Sequence, residues 1–239
     1  MNSIPTLTKN QLLAALPAEL LERWNGHLKL VELKLGDVLY EPKRAITHVF
    51  FPTTAIVSIL YVMLDGASAE IAVVGHEGMM GISLFMGGGT TTSRGVVQSA
   101  GHAFRLPAAL MTVEVDKGGA LLHLLLLYSQ ALMTQMGQTA VCNRHHSVDK
   151  QLCRWLLLSL DRLRGDQLTM TQELIANMLG VRREGVTDGA KKLQEAGLIS
   201  YSRSKITVLD RPGLEKRTCE CYRIVKDEYD RLLPTGAAA

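Results

Sequence analysis

The segment that most constrains this 239-residue chain runs from residue 168 to residue 199, because its pattern is typical of two helices joined by a sharp turn. Thr169 and Gln172 have the spacing of a capping box and predict a helix start at Thr169. Gly180 then interrupts the apolar pattern, since glycine accepts the backbone angles of a tight turn between helices. A second helix is predicted over residues 182–196. We therefore interpret the segment as a helix-turn-helix.

The second of these helices has an apolar side and a polar side. Val186, Ala190 and Leu193 recur at i, i+4 and i+7, which places them on one buried stripe. The opposite side begins with Arg183 and Glu184, and such a face suits entry into the DNA major groove by the helix N-terminus. The pattern favours DNA binding; the alternative is a generic helix pair with a solvated charged face.

The segment after the second helix predicts a β-hairpin with residues 198–201 and 206–209 as its strands. A hairpin at this place forms a wing, and basic residues at its tip are suited to phosphate contacts. Together with the helix-turn-helix, the wing completes the predicted DNA interface. The residues of this interface are Thr169, Arg182, Arg183, Glu184, Thr187, Asp188, Lys191, Arg203 and Lys205.

Composition and charge agree with a folded, two-part protein. Hydrophobic residues make up 47% of the chain, so a sizeable core is expected. Residues 1–146 carry 10 Lys/Arg and 10 Asp/Glu, whereas residues 147–239 carry 16 and 13, so the net charge of +3 lies in the second part. No N-terminal signal is visible, and the apolar run 121–127 is too short for a bilayer, which predicts a cytoplasmic location without membrane contact.

The N-terminal half is predicted to be rich in β-strands. Runs of β-branched and aromatic residues alternate with glycines, and Asp65-Gly66 between two runs is a strong hairpin signal. Many short strands ended by glycine turns suggest a barrel or jelly roll. An amphipathic helix is expected before it, over residues 10–24. The predicted strands include 31–35, 38–40, 48–51, 55–63, 71–73, 96–98 and 103–106.

A long helix is predicted between the two halves, over residues 119–145. Its apolar residues alternate at spacings of three and four, which is the pattern of a coiled-coil seam. Since helix-turn-helix proteins usually read two-fold operators as dimers, we expect a homodimer; the alternative is a single helix packed on its own barrel. The predicted seam is Leu122, Leu125, Leu132 and Met136, with Ser129, Thr139 and Asn143 as polar positions.

This order of elements resembles the Crp/Fnr family of bacterial transcription regulators over nearly the whole chain. The recognition helix of the family carries Arg-Glu, which match Arg183 and Glu184, but Arg182 and Asp188 depart from its pattern. The segments 143–158 and 219–222 are similar to a subgroup of the family. The resemblance implies an α+β fold with a β-roll sensor domain (1–118), a dimerisation helix (119–146) and a winged helix-turn-helix domain (147–239).

The resemblance also implies where an effector would bind. In the family's cyclic-nucleotide receptors an Arg binds the cyclic phosphate and a Glu after a Gly binds the ribose hydroxyl. Gly81, Ser83 and Arg94 take up these places here, but no carboxylate lies between residues 81 and 85. We therefore do not expect tight binding of cyclic AMP. Arg94 either binds another anion or pairs with a carboxylate such as Glu77.

Several cysteines and histidines have side chains that can bind a metal ion. Cys142 with His145 and His146 lacks a fourth ligand, so polar packing is favoured over a metal site. Cys219 and Cys221 do not have the spacing of a redox pair. An iron-sulfur cluster is not expected, since the family's iron-sulfur sensors carry an N-terminal cysteine cluster, and the first cysteine here is Cys142. His123 is expected to be a buried histidine; haem ligation is the alternative.

The predicted function is therefore a dimeric, sequence-specific DNA-binding transcription regulator, and no enzymatic motif is seen. The implied partners are double-stranded DNA, a second copy of the chain, RNA polymerase and an unidentified small-molecule effector. The alternative function is a ligand-binding or redox-signalling protein whose winged helix mainly contacts protein.

Overall fold

A computed structural model describes residues 7–163 and 165–233. The chain begins with two short helices, α1 (Gln11–Ala14) and α2 (Ala18–Trp24). The single helix predicted over residues 10–24 is therefore wrong. Pro17 occupies the cap position of α2, and a proline inside a helix would remove a backbone hydrogen bond, so the helix divides there.

Antiparallel strands form the N-terminal domain in two sheets, ordered β1-β7-β3 and β2-β6-β4-β5. This confirms the predicted β-roll. Fully buried side chains such as Val49, Phe51 and Phe104 lie in its core. Two further helices accompany the sheets, α3 (Ile82–Phe85) and α4 (Ala108–Asp116). The strands are β1 (Lys29–Leu33), β2 (Val38–Tyr40), β3 (His48–Pro52), β4 (Ile56–Val62), β5 (Ser68–Val74), β6 (Arg94–Ser99) and β7 (Gly101–Pro107).

The long helix α5 (Ala120–His145) follows the predicted bounds, but the predicted seam lies on its inner side. Leu125 and Leu132 are 1% and 0% exposed, and Leu122 and Met136 pack against the same core. Leu125 and Leu132 are therefore covered by their own chain and not free for a partner, whereas Leu122 and Met136 are half-buried. The difference has a simple cause: α5 is apolar on both sides, and periodicity alone cannot tell which stripe faces the core.

The C-terminal domain contains a helix-turn-helix followed by a hairpin. Its elements are α6 (Val148–Leu160), β8 (Gln167–Thr169), α7 (Gln172–Leu179), α8 (Arg183–Glu195), β9 (Ile199–Ser202), β10 (Lys205–Val208), α9 (Arg211–Arg217) and α10 (Glu220–Leu232). Strand order is β8-β10-β9. Within the described residues, no helix has the length and apolar character that a membrane span needs.

The start of α7 differs from the prediction. Its cap is Thr171, whose hydroxyl accepts a hydrogen bond from Leu174 N at 3.2 Å. Thr169 instead ends β8 and pairs with Lys205 of β10. The pairing partner is distant in sequence, so the local capping pattern could not reveal it.

The two domains meet through buried polar contacts. Arg162, just after α6, forms an ion pair of 2.7 Å with Glu77 of the N-terminal domain. Gln98 of β6 donates to Ser159 Oγ of α6 at 3.1 Å, and Gln135 of α5 donates to the Tyr229 hydroxyl of α10 at 2.9 Å. We call this set of contacts the domain junction.

Candidate DNA interface and sensor pocket

Helix α8 presents a continuous polar face. Its apolar stripe of Val186, Ala190 and Leu193 is buried, as predicted. Arg182 caps the helix in an extended conformation, and Arg183 is its first residue. The outward residues are all exposed, namely Arg182, Arg183, Glu184, Thr187, Asp188 and Lys191. The N-terminal end of α8 is therefore free to approach a ligand, and its opposite face holds it in the domain.

Helix α8 packs directly on α6. A side chain at Gly189 would meet the Cα of Asp149 at 3.6 Å, and one at Gly185 would meet Val148 at the same distance. The two helices therefore pack with little side-chain bulk between them. This close packing fixes the direction in which the polar face points.

The turn and a hydrogen bond set the angle between α7 and α8. Gly180 ends α7 with φ of 65°, a left-handed conformation that favours glycine. Thr187 Oγ1 lies 2.8 Å from Gln172 Oε1 and 3.1 Å from the Arg183 carbonyl oxygen. Its hydroxyl has a single proton, which these acceptors of the motif already engage.

Lys191 lies 3.8 Å from Glu195, and both are well exposed.

The wing is a tight hairpin fixed to the start of α7. Arg203 and Ser204 have φ of 49° and 67°, as in the two-residue turn that suits the twist of paired strands. The turn is thus two residues long instead of the predicted four. Met170 N donates to the Ser204 carbonyl at 2.6 Å, and the Tyr201 hydroxyl donates to the Met170 carbonyl at 2.7 Å. Arg203 and Lys205 are exposed beside the helix-turn-helix. Thr169, also a residue of the predicted interface, lies on β8 and not at the start of α7.

The sensor domain contains a cavity of about 320 Å³ between the β-roll and α5. Gly81 and Ser83 line it, as predicted, and Met136 reaches it from α5. Arg94 is not among its lining residues, and none of the described residues that line it is charged. The walls are Tyr40, Ile46, Ile59, Tyr61, Ile71, Met80, Gly81, Ile82, Ser83, Thr90, Thr91, Thr92, Ser93 and Met136.

Arg94 is held by a carboxylate, but a different one from that suggested by the sequence. Its Nη2 lies 2.9 Å and its Nε 3.1 Å from Oε1 of Glu41, and both side chains are about two-fifths exposed. The suggested pairing with Glu77 is wrong, because Glu77 pairs with Arg162 in the domain junction.

Comparison with known families decides what kind of domain this is. Residues 150–217 match the family model of the Crp-like helix-turn-helix domain. The chain has a Crp-like helix-turn-helix domain on a Crp/Fnr fold. The resemblance seen in the sequence is thereby confirmed. A search of curated protein sequences finds no match.

Solved structures extend the likeness to both domains of the Crp/Fnr fold. One is a protein of Eubacterium rectale assigned to the Crp/Fnr family of transcriptional regulators, with 21% identity, a TM-score of 0.64 and coverage of 90% of this chain and 99% of that one. FixK2 from Bradyrhizobium japonicum is 13% identical, with a TM-score of 0.68 and coverage of 80% and 98%. TTHB099 from Thermus thermophilus, a transcriptional regulator of the CRP family, is 17% identical, with a TM-score of 0.65 and coverage of 78% and 95%.

The long helix of this Crp/Fnr fold has an exposed stripe that the sequence analysis missed. Leu126 and Met133 are 54% and 59% exposed. The exposed residues alternate at spacings of three and four, each one position after a residue of the predicted seam. We call this set the α5 stripe; it consists of His123, Leu126, Gln130, Met133, Gly137, Ala140 and Arg144. His123 is thus exposed, and the expectation that it is buried is wrong.

The structure also gathers cysteines that the sequence analysis kept apart. Cys142 and His146, near the end of α5, meet Cys219 and Cys221 at the start of α10. His145 is exposed and does not join this group. The two pairs are more than 70 residues apart in the chain, and the similarity of segment 219–222 to a family subgroup was the only available signal.

Proposed function

We propose that this protein is a dimeric, sequence-specific DNA-binding transcription regulator in which α8 contacts base edges and the wing contacts phosphates. The observation that carries the proposal is the exposed N-terminal end of α8, with Arg183 and Glu184, in a domain matched as Crp-like helix-turn-helix. Double-stranded DNA is the proposed partner, and RNA polymerase is proposed through the family resemblance.

The side chains support distinct roles at the DNA. Arg183 is suited to donate to O6 and N7 of a guanine, and Glu184 to accept from N4 of a cytosine. Arg203 and Lys205, exposed on the wing, are suited to phosphates, which position the protein without reading sequence. Asp188 places a carboxylate where the family has an Arg, so we propose an operator different from the family's usual one.

The α5 stripe supports dimerisation with a second copy of the chain. Its alternating spacing of three and four presents one face along most of α5, as a two-helix seam requires. Leu126 and Met133 are large apolar side chains on that face, and burying them against a partner would be favourable by about 1.5–3 kcal/mol each.

The sensor cavity supports a small uncharged effector better than a cyclic nucleotide. A cyclic phosphate needs neutralisation, yet Arg94 is paired with Glu41 and does not line the cavity. A buried ribose hydroxyl without a partner would cost about 1–3 kcal/mol. We therefore propose that cyclic AMP does not bind tightly, and that the hydroxyl groups and apolar side chains of the cavity select another small molecule.

DNA binding is tested by selecting a site from genomic fragments and comparing variants on it by gel shift. Arg183→Ala should weaken binding to the selected site by about 10- to 100-fold, since a bidentate base contact is worth about 1–3 kcal/mol. Lys205→Ala should weaken binding to selected and unselected DNA alike and reduce the salt dependence. Arg223→Ala, an exposed arginine on α10, is the matched control. An unchanged affinity of Arg183→Ala would contradict the role of α8.

Dimerisation is tested by light scattering at micromolar concentration. Met133→Asp should yield monomers, because it places an unpaired charge in the proposed seam. The matched control is Met86→Asp, since Met86 is 54% exposed but lies outside α5. A wild-type monomer, both free and on DNA, would overturn the dimer.

A further inference from the structure

Three thiols and one imidazole converge where α5 meets α10. Cys142 and His146 are four residues apart at the end of α5 and therefore lie on one side of the helix. Cys219 caps α10, and Cys221 lies in its first turn. One ligand atom from each of these residues lies within 4.8 Å of all the others. The three cysteines are free and buried, and they form a cluster apart from the main hydrophobic core.

The spacing of these atoms suits a single tetrahedral ion. Zinc binds thiolate sulfur at about 2.3 Å and imidazole nitrogen at about 2.0–2.1 Å, which puts neighbouring ligand atoms of a tetrahedron roughly 3.5–3.8 Å apart. Here Cys142 Sγ lies 3.5 Å from Cys219 Sγ, and Cys221 Sγ lies 3.7 Å from His146 Nδ1. In a multi-iron cluster the protein ligands bind different iron atoms. Such ligands lie farther apart than the ligands of a single ion.

The orientation of His146 is that of a metal ligand with an outer partner. Its Nδ1 faces Cys221, whereas its Nε2 lies 3.5 Å from a carboxylate oxygen of Glu220. Histidine ligands commonly pair their second ring nitrogen with a carboxylate, which fixes the ring and the tautomer. Glu220 also precedes Cys221 in the chain. Helix α10 therefore supplies both the thiol that faces Nδ1 of His146 and the carboxylate that faces its Nε2.

Charge in the surroundings is compatible with thiolate ligands. The buried guanidinium of Arg154 places a positive charge near Cys142 and Cys221. Three thiolates, one neutral imidazole and Zn²⁺ carry a net charge of −1, which the buried charge of Arg154 offsets, while the carboxylate of Glu220 is 70% exposed to water.

We propose that Cys142, His146, Cys219 and Cys221 form a structural Zn²⁺ site that fastens α10 to the end of α5. With four protein ligands the site is closed, which is typical of structural zinc. The end of α5 is also where the chain continues into α6, so the ion would link α10 to the start of the C-terminal domain.

The test is the metal content of the full chain purified without added metal. Mass spectrometry of the metal should find about one zinc per chain, as for a closed four-ligand site. Cys142→Ser and Cys219→Ser should reduce the zinc content several-fold. Cys153→Ser is the matched control, since Cys153 is a buried thiol outside the cluster and its variant should keep its zinc.

A second measurement does not depend on how the variants fold. Removal of the metal from wild-type protein should lower its thermal midpoint, and zinc should restore it, because binding energy contributes to folding stability. Titration with Co²⁺ should give the visible bands of tetrahedral cobalt with thiolate ligands. Absence of zinc together with absence of these bands, a Cys142–Cys219 disulfide in the isolated protein, or an iron chromophore would each overturn the proposal.

Discussion

The helix-turn-helix lies within the C-terminal domain and the domain junction lies between the two domains, and their polar groups are organised in opposite ways. The polar residues of α8 are exposed and come from one short run of sequence. Those of the junction are buried and join distant parts of the chain, since Glu77 and Arg162 are 85 residues apart. Exposed polar groups remain available to a ligand, whereas buried ones must be satisfied within the protein.

This difference shows which groups carry binding and which carry domain position. Charges on α8 contribute little to folding, because water solvates them in both states. The charged pair of the junction is buried between the two domains, so we expect its disruption to destabilise the fold. Breaking a buried interaction and breaking its exposed counterpart should therefore change stability by very different amounts.

The largest effect is expected at the Glu77–Arg162 pair. Glu77→Ala should lower the free energy of unfolding by about 3–5 kcal/mol, because it leaves a buried guanidinium without its carboxylate. The approach of the two segments is close: a side chain at Gly75 would meet Arg162 Cβ at 2.6 Å. Urea unfolding measures the change.

Two controls separate the lost charge from lost packing. Asp227→Ala removes an exposed partner of Arg223 and should cost less than about 1 kcal/mol. The double variant Glu77→Leu/Arg162→Met should recover much of the loss, since apolar pairs often replace buried ion pairs without cost. A double variant as unstable as Glu77→Ala would show that the cost is not one of unpaired charge.

The next effect concerns a buried carboxyl beside the junction. Ser58 Oγ lies 2.5 Å from Glu70 Oε2 and 2.8 Å from Gln98 Oε1. A hydroxyl has one proton, so both contacts are satisfied when Ser58 donates to Gln98 and a protonated Glu70 donates to Ser58. Burial raises the pKa of Glu70 from 4.5 to about 7, in agreement with this arrangement.

Stability should therefore fall as the pH rises from about 4.5 to 7, because the folded protein holds the Glu70 proton more tightly than the unfolded chain. Glu70→Gln keeps a donor towards Ser58 and cannot lose a proton. At pH 8 it should be more stable than wild type by roughly 3 kcal/mol, at about 1.4 kcal/mol per pKa unit. Near pH 4 the two proteins should be alike. Urea unfolding across this range checks both points.

The exposed variant Glu22→Gln is the control for the Glu70 experiment and should follow wild type at every pH. A difference between Glu70→Gln and wild type that does not change with pH would show that a neutral carboxyl is not what the folded protein prefers. The expected profile, in contrast, would place a titrating group within the network that reaches Ser159 of α6.

The same contrast explains what the sequence could predict. The helix-turn-helix, the wing and the Asp65-Gly66 hairpin were predicted because their signals lie within a few residues of one another. The start of α7 was wrong because Thr169 pairs with Lys205 from the far side of the motif. In the middle of α5 the predicted seam missed the exposed side by one residue, since Leu125 and Leu126 are equally apolar and only the folded protein shows which one is covered.

The candidate sites followed the same rule. The exposed face of α8 was read from spacing alone, because one helix supplies every residue of it. The cysteine cluster could not be predicted from spacing, because Cys142 and Cys219 are 77 residues apart and belong to different domains. Likewise the partner of Arg94 was missed: Glu41 is 53 residues away and no local pattern connects the two.

The smallest effect is expected at the Arg94–Glu41 pair, which has the chemistry of Glu77–Arg162 without its burial. Arg94→Ala should change the free energy of unfolding by less than about 1 kcal/mol, because water screens and solvates an exposed pair. Since Arg94 does not line the cavity, calorimetry should also find no tight binding of cyclic AMP in wild type or variant. Micromolar binding that is abolished by Arg94→Ala would restore Arg94 as a phosphate ligand. It would also mean that the Arg94–Glu41 pair breaks when the nucleotide binds. An exposed ion pair, unlike a buried one, can exchange its partner for a ligand at little cost.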